Sequence, residues 1–351
     1  MAAIIFGALL LFSGLWNLKH LLAELLGGGG MARASGPHLE ELVVEENDSD
    51  DKIAVIPVEG IIASEAIGAG GYSMVRLIQD QLKVAERDAQ VKAVLLKVDS
   101  PGGEVLASDD IYHAIAQFQK KSGKPVIAAM GSLAASGGYY ISAPCRWIVA
   151  NELTITGSIG VIMHGYNYRG LMDKVGLRPQ VYKSGKFKDM LSGDKQLDPE
   201  KQTALEKEEI EAETRMVQSL INQTFDKFKS IVAEGRQQAN DKNKSSPDDP
   251  GVKLSRQWTD YADGRVLSGT EAHRLGFVDE LGNWEAAVER ANKFAKTKKA
   301  NLVSYQHPFD LSNLFRLFGK SDAGRVKIDL GLEAPRLKAG QLYFLSPTFI
   351  H

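Results

Sequence analysis

The 351-residue chain has 25% charged and 44% hydrophobic residues, an ordinary globular balance, and its formal net charge of −2 argues against a nucleic-acid partner. Its single cysteine, Cys145, excludes an intrachain disulfide and any multi-cysteine metal site, and reads as a small core residue. The length is ample for a buried core in one large or two modest domains.

The first element is apolar. Residues Ala2 to Trp16 are almost entirely hydrophobic, and Leu18, Leu21, Leu22, Leu25 and Leu26 continue a helical stripe. A bilayer takes about 20 helical residues to cross, so residues 1–27 are expected to form a transmembrane signal-anchor helix that the Gly27–Gly30 run ends. A signal peptide cut after Ala34 stays open as an alternative. Residues 28–52 carry Glu40, Glu41, Glu45, Glu46, Asp48, Asp50 and Asp51 and read as an acidic, flexible linker.

The folded domain is expected over residues 53–300. Ile53 to Val58 is a short apolar run suited to a buried strand, followed by a helix around Tyr72 to Ala85 and a strand from Val91 to Val98. A helix near Ser108 to Lys120, a strand from Pro125 to Met130, a helix opening at Ser136 and a strand from Trp147 to Ala150 complete an alternating α/β pattern. A long charged helix is expected from Pro199 to about Glu234, then an exposed loop over Gln237 to Pro250. Shorter helices should end near Gly276 and run from Trp284 to Lys298. Residues 301–351 are weakly patterned and are expected to pack as a tail on the domain or on a neighbouring subunit. Leu314 to Phe318 could pack locally there, and Gln341 to Leu345 could form a terminal strand.

Chemistry concentrates in four turns. Gly131-Ser-Leu-Ala-Ala-Ser-Gly-Gly-Tyr-Tyr140 sets Ser136 among small residues at the start of a helix, where its oxygen is unhindered and the helix N-terminus favours negative charge. Asp99-Ser-Pro-Gly-Gly103 is a tight turn able to aim the Gly103 N–H at a ligand, and Gly137 N–H is a second donor. In Thr154-Ile-Thr-Gly-Ser-Ile-Gly-Val161, Ser158 could accept a hydrogen bond from a lysine amine. A serine hydroxyl needs a base, which a desolvated lysine can be. Lys183, Lys186 and Lys188 of the segment around Ser184-Gly-Lys-Phe-Lys-Asp189 are all candidates on sequence position.

Those turns, together with Asp263-Gly-Arg-Val266 and Gly276-Phe-Val-Asp-Glu-Leu-Gly282, occur in an order that resembles the signal peptide peptidase A family. The resemblance covers roughly residues 53 to 298 and is to the short, single-copy members. It implies a Clp/crotonase-like α/β fold of repeated ββα units with a helical extension. It also implies a serine endopeptidase with Ser136 as nucleophile, Lys188 as general base, Ser158 orienting the lysine, and Gly103 and Gly137 as the oxyanion hole. No cofactor or metal is implied. The implied partners are remnant signal peptides and other unfolded membrane-associated peptides, the membrane itself, and further copies in a ring that share active sites. The implied location is the inner membrane, with the catalytic domain extracytoplasmic.

Three rivals remain open. His164 could make a serine–histidine–aspartate site on the same fold, although no aspartate stands in a matching motif. A membrane-tethered assembly factor without catalysis would keep the fold, but Ser136, Ser158 and Lys188 are all intact. A crotonase-like acyl-CoA enzyme fits Ser100-Pro-Gly-Gly103 but neither the lysine motif nor the anchor.

Overall fold

The computed structural model describes residues 39–65, 73–244, 250–307 and 342–345. The expected anchor helix, the glycine run and Leu314 to Phe318 lie outside them. In chain order the elements are β1 (Glu40–Glu45), β2 (Lys52–Glu59), α1 (Met74–Arg87), β3 (Val91–Ser100), β4 (Gly102–Glu104) and α2 (Val105–Ser122). Next come β5 (Val126–Ala135), α3 (Gly137–Ser142), β6 (Trp147–Ala150), β7 (Ile155–Gly157), α4 (Arg169–Lys174) and α5 (Ala204–Asn243). The chain continues with β8 (Val266–Ser268), α6 (Gly269–Leu275), β9 (Glu280–Leu281), α7 (Trp284–Ala295), β10 (Asn301–Gln306) and β11 (Tyr343–Leu345).

The central sheet runs β1-β10-β2-β3-β5-β6-β9, with β7 beside the far end of β5 and β8 beside β7. Every neighbour pair from β10 to β9 is parallel, and β1 closes one edge antiparallel to β10. Parallel strands read as unbroken apolar runs because helices cover both faces. Here Ala54, Ile56, Val94, Leu96 and Val98 join a core with Ile78 and Leu82 of α1 and Ile111 and Ile115 of α2. The alternate residues Ile53, Val55, Ala93, Leu95 and Ile127 face Ala287 and Ala291 of α7 on the other side. Local signals set the helix ends: the Ser73 side chain accepts from Arg76 N–H, Ser268 forms a capping box with Glu271, and Gly276 ends α6 in the left-handed region.

Two readings of the polar segments change. The acidic stretch contains β1, whose side chains are all exposed; it is a solvated edge strand held by its backbone ladder to β10, so its composition resembles a linker. The stretch read as a loop from Gln237 is instead the last turns of α5 as far as Asn243, with Ala239, Asn240 and Asn243 buried. The cause lies beside it. Arg236 is wholly buried, donates to the carbonyls of Ala143 and Cys145, and pairs with the equally buried Asp279. Asp279 also accepts from Ile148 N–H at 2.8 Å, tying the helix to β6. Burial opposes the charge on Arg236, yet Asp279 raises its pKa above the ordinary guanidinium value. Cys145, in the same core, has its thiol pushed up to about 12 by burial, and it is inert packing.

Asp279→Ala is therefore expected to cost about 3–5 kcal/mol, because it leaves a buried guanidinium unpaired. Urea unfolding of the variant checks this. Replacing both partners with apolar residues of similar volume should recover most of the loss.

Candidate active site

Strand β5 delivers Ser136. The residue is the N-cap of α3 with φ 56° and ψ −116°, a conformation L-residues rarely adopt. Its side chain is 1% exposed, and its Oγ has no hydrogen-bond partner among the described residues. The strained turn is fixed by the backbone, since Ser136 N–H donates to Gly157 O at 2.8 Å and Ser136 O accepts from Tyr140 N–H at 2.8 Å.

The parallel pair β5 and β7 aligns Ala135 with Gly157, so Ser136 and Ser158 emerge side by side. Ser158 is also buried and also has positive φ, at 50°. Its N–H donates to Arg265 O at 2.8 Å, which explains why the Asp263-Gly-Arg-Val266 segment accompanies the other turns.

The turn before β4 packs directly on the start of α3. Gly102 has φ 98°, and a Cβ there would lie 2.5 Å from Gly137 N. A Cβ on Gly137 would lie 3.0 Å from Gly102 Cα and 3.1 Å from Gly103 N. Only glycines let these backbones approach so closely. The consequence is chemical: the amides of Gly103 and Gly137 sit together beside a buried serine, a geometry able to hold a developing oxyanion.

The lysine segment is separate. Lys188 is exposed, and nothing joins its Nζ to Ser136 in one chain. The three candidate bases nevertheless differ. Lys183 is hydrogen-bonded to Glu209 and Asp189, which hold it above the ordinary lysine pKa; it is kept charged. Lys186 faces Glu208 at 3.9 Å. Lys188 has no ion pair among the described residues. His164 has no carboxylate partner there either, and its Nε2 is buried without a hydrogen bond. Asp189, Glu209 and Glu213 bring carboxylate oxygens within 4.8 Å of one another, but Lys183 and Lys195 form ion pairs with them and offset most of their charge.

Sequence reasoning missed one neighbour of these turns. Strand β11 pairs antiparallel with β4, setting Phe344 opposite Gly103 and Leu345 opposite Gly102. The apolar run ending at Leu345 signals a strand, but no local pattern names a partner so distant in the chain.

The chain is similar in sequence to known proteins. The sequence profile of peptidase family S49 matches residues 118–249 and 252–298, and that of Clp protease matches residues 60–146. The chain is 36% identical over 273 residues to an Enterococcus faecium protein assigned as a signal peptide peptidase SppA, spanning 77% of this chain and 71% of that one. It is 39% identical over 244 residues to a Synechocystis protein assigned as a protease, spanning 70% of this chain and 74% of that one. A solved structure of the 1510-N membrane-bound stomatin-specific protease superposes with a TM-score of 0.43 at 16% identity, over 76% of this chain and 97% of that one.

Proposed function

The chain belongs to peptidase family S49, and on that premise we propose that it is a membrane-anchored serine endopeptidase with a Ser136–Lys188 dyad. Its substrates are remnant signal peptides and other unfolded membrane-associated peptides. The observation that carries the reading is the buried, unpartnered Ser136 Oγ in a strained turn beside the Gly103 and Gly137 amides.

Neutral Lys188 takes the Ser136 proton as Oγ attacks a peptide carbonyl carbon. The two glycine amides hold the oxyanion, and Ser158 orients the lysine. The lysine then gives its proton to the leaving amine, and water activated by the same lysine cleaves the ester.

The lysine comes from a neighbouring copy in a ring. The exposed position of Lys188 supports this, as does the apolar surface of its segment. Tyr166 is 85% exposed, Tyr182 91%, Leu171 64% and Val175 62%, more apolar surface than a solitary subunit needs to show. The anchor is residues 1–27, with the catalytic domain extracytoplasmic; this part rests on the apolar stretch and the family resemblance. No helix among the described residues is long and apolar enough to cross a membrane.

A fluorophosphonate probe tests the reading. The assembled protein should be labelled on Ser136 alone, located by peptide mapping, with labelling at least about tenfold slower in Lys188→Ala. An unlabelled, intact oligomer would assign the fold to a non-hydrolytic assembly factor.

A further inference from the structure

The parallel strands share a direction, so the two ends of the sheet differ. Strand β5 delivers Ser136 at one end and starts at Val126, 10 residues earlier, roughly 30 Å away at the rise of an extended strand. The described chain also enters at the Ser136 end, because Glu40 of β1 pairs with Gln306 at the close of β10. At the other end a cavity of about 1110 Å³ opens among the last turns of α2, α5 and α7. Its walls are cationic. Lys120, Lys124, Arg146, Lys242, Lys293 and Lys296 line it, and no carboxylate among the described residues does. In a chain of formal net charge −2 this is a local reversal of sign.

Elsewhere the cations of this protein meet carboxylates, as Lys52 does Glu41 at 2.8 Å and Lys227 does Asp109 at 2.7 Å. Four cations of the cavity do not. Lys120 and Lys296 have no ion pair among the described residues. Lys124 Nζ donates to the carbonyls of Ala85 and Asp88, both at 2.7 Å, and Arg146 donates to those of Ala239 and Lys242, both at 3.1 Å. Such carbonyls carry only partial charge. A helix C-terminus is equivalent to about half a negative charge, so the ends of α1, α2, α5 and α7 offset about two of these four positive charges. The surplus stays uncompensated. Burial meanwhile lowers the pKa of both Lys124 and Arg146, a cost that a bound anion would relieve.

We propose that this cavity binds a small soluble molecule carrying two or more phosphate groups, held by Lys120, Lys124, Arg146 and Lys296. Ammonium groups take phosphate oxygens as point charges from several directions, so lysines on three sides suit a compact polyanion. Ligand clefts run from roughly 300 to 1000 Å³, and a cavity of this size admits such a molecule whole. Anionic lipid headgroups share the chemistry. The entry of the chain at the opposite end of the sheet favours a soluble ligand over a bilayer reached through the N-terminal stretch. The site is separate from Ser136 and stands whether or not the serine is a nucleophile.

Calorimetric titration of the full chain with tripolyphosphate at fixed ionic strength tests this. Saturable binding is expected, with a Kd below about 100 μM. Lys120→Gln combined with Lys296→Asn should weaken it at least about tenfold, and Lys120→Gln alone at least about threefold. Lys121→Gln, in the same last turn of α2 but outside the cavity lining, should stay within about twofold of wild type. Asparagine suits the left-handed backbone at Lys296, where φ is 57°, so the double variant should fold, and its urea midpoint checks that. Absence of saturable binding overturns the proposal, as does unchanged affinity in Lys120→Gln. An equal loss in Lys121→Gln also overturns it, because it marks unspecific attraction to charge. Association with phosphatidylglycerol vesicles but not with tripolyphosphate overturns the soluble ligand and assigns the cavity to a membrane surface.

Discussion

Ser136→Ala is expected to lower kcat by at least about 10⁴-fold while leaving substrate binding within a few-fold. Without the hydroxyl no acyl-enzyme forms, and the Gly103 and Gly137 amides alone polarise a carbonyl that only water can attack. The fold should survive. The turn is held by Ser136 N–H to Gly157 O and by Tyr140 N–H to Ser136 O, both backbone bonds that alanine keeps. Replacing serine also removes a buried hydroxyl without a hydrogen-bond partner among the described residues, so stability should hold or rise slightly. Turnover and urea unfolding on one preparation separate the two effects. Activity above about a tenth of wild type would place the nucleophile elsewhere.

The second large effect concerns where the base comes from. Ser136→Ala and Lys188→Ala proteins should each be inactive, yet oligomers assembled from an equal mixture should regain activity. If each site takes its serine from one subunit and its lysine from the next, random assembly makes about a quarter of the sites complete. A dyad within one chain would give no recovery at any ratio. Mixing after separate assembly, without subunit exchange, is the control and should also give none. The structure motivates the experiment because Ser136 is buried without a partner for Oγ, whereas Lys188 is exposed on a segment rich in uncovered apolar side chains.

The parts legible in the sequence were those governed by local rules. Strands β2, β3 and β5 announce themselves because a sheet covered on both faces leaves no polar alternation, as Ile53 to Val58 shows. The glycine turn before β4 and the start of α3 are legible because close backbone approach demands glycine, and Gly102 and Gly137 would both clash if given a side chain. What escaped was settled by distant partners. The end of α5 looks like a polar loop until Asp279 supplies a buried partner for Arg236. The acidic β1 looks like a linker until β10 offers it a ladder. Strand β11 was expected as a terminal strand, but its place against the glycine turn depends on pairing across most of the chain. The lysine is a further case: its segment lies near Ser136 in sequence order, yet Lys188 is exposed and nothing joins its Nζ to Ser136 within one chain.

The role of Lys188 as the base is tested by the steady-state turnover of a leucine-rich signal peptide by assembled Lys188→Ala beside assembled His164→Ala. Lys188→Ala is expected to fall by at least about 10³-fold. His164→Ala should stay within about twofold of wild type, because its ring pairs with no carboxylate among the described residues. An active Lys188→Ala protein beside an inactive His164→Ala protein would contradict it and make the site a histidine-based, Clp-like one.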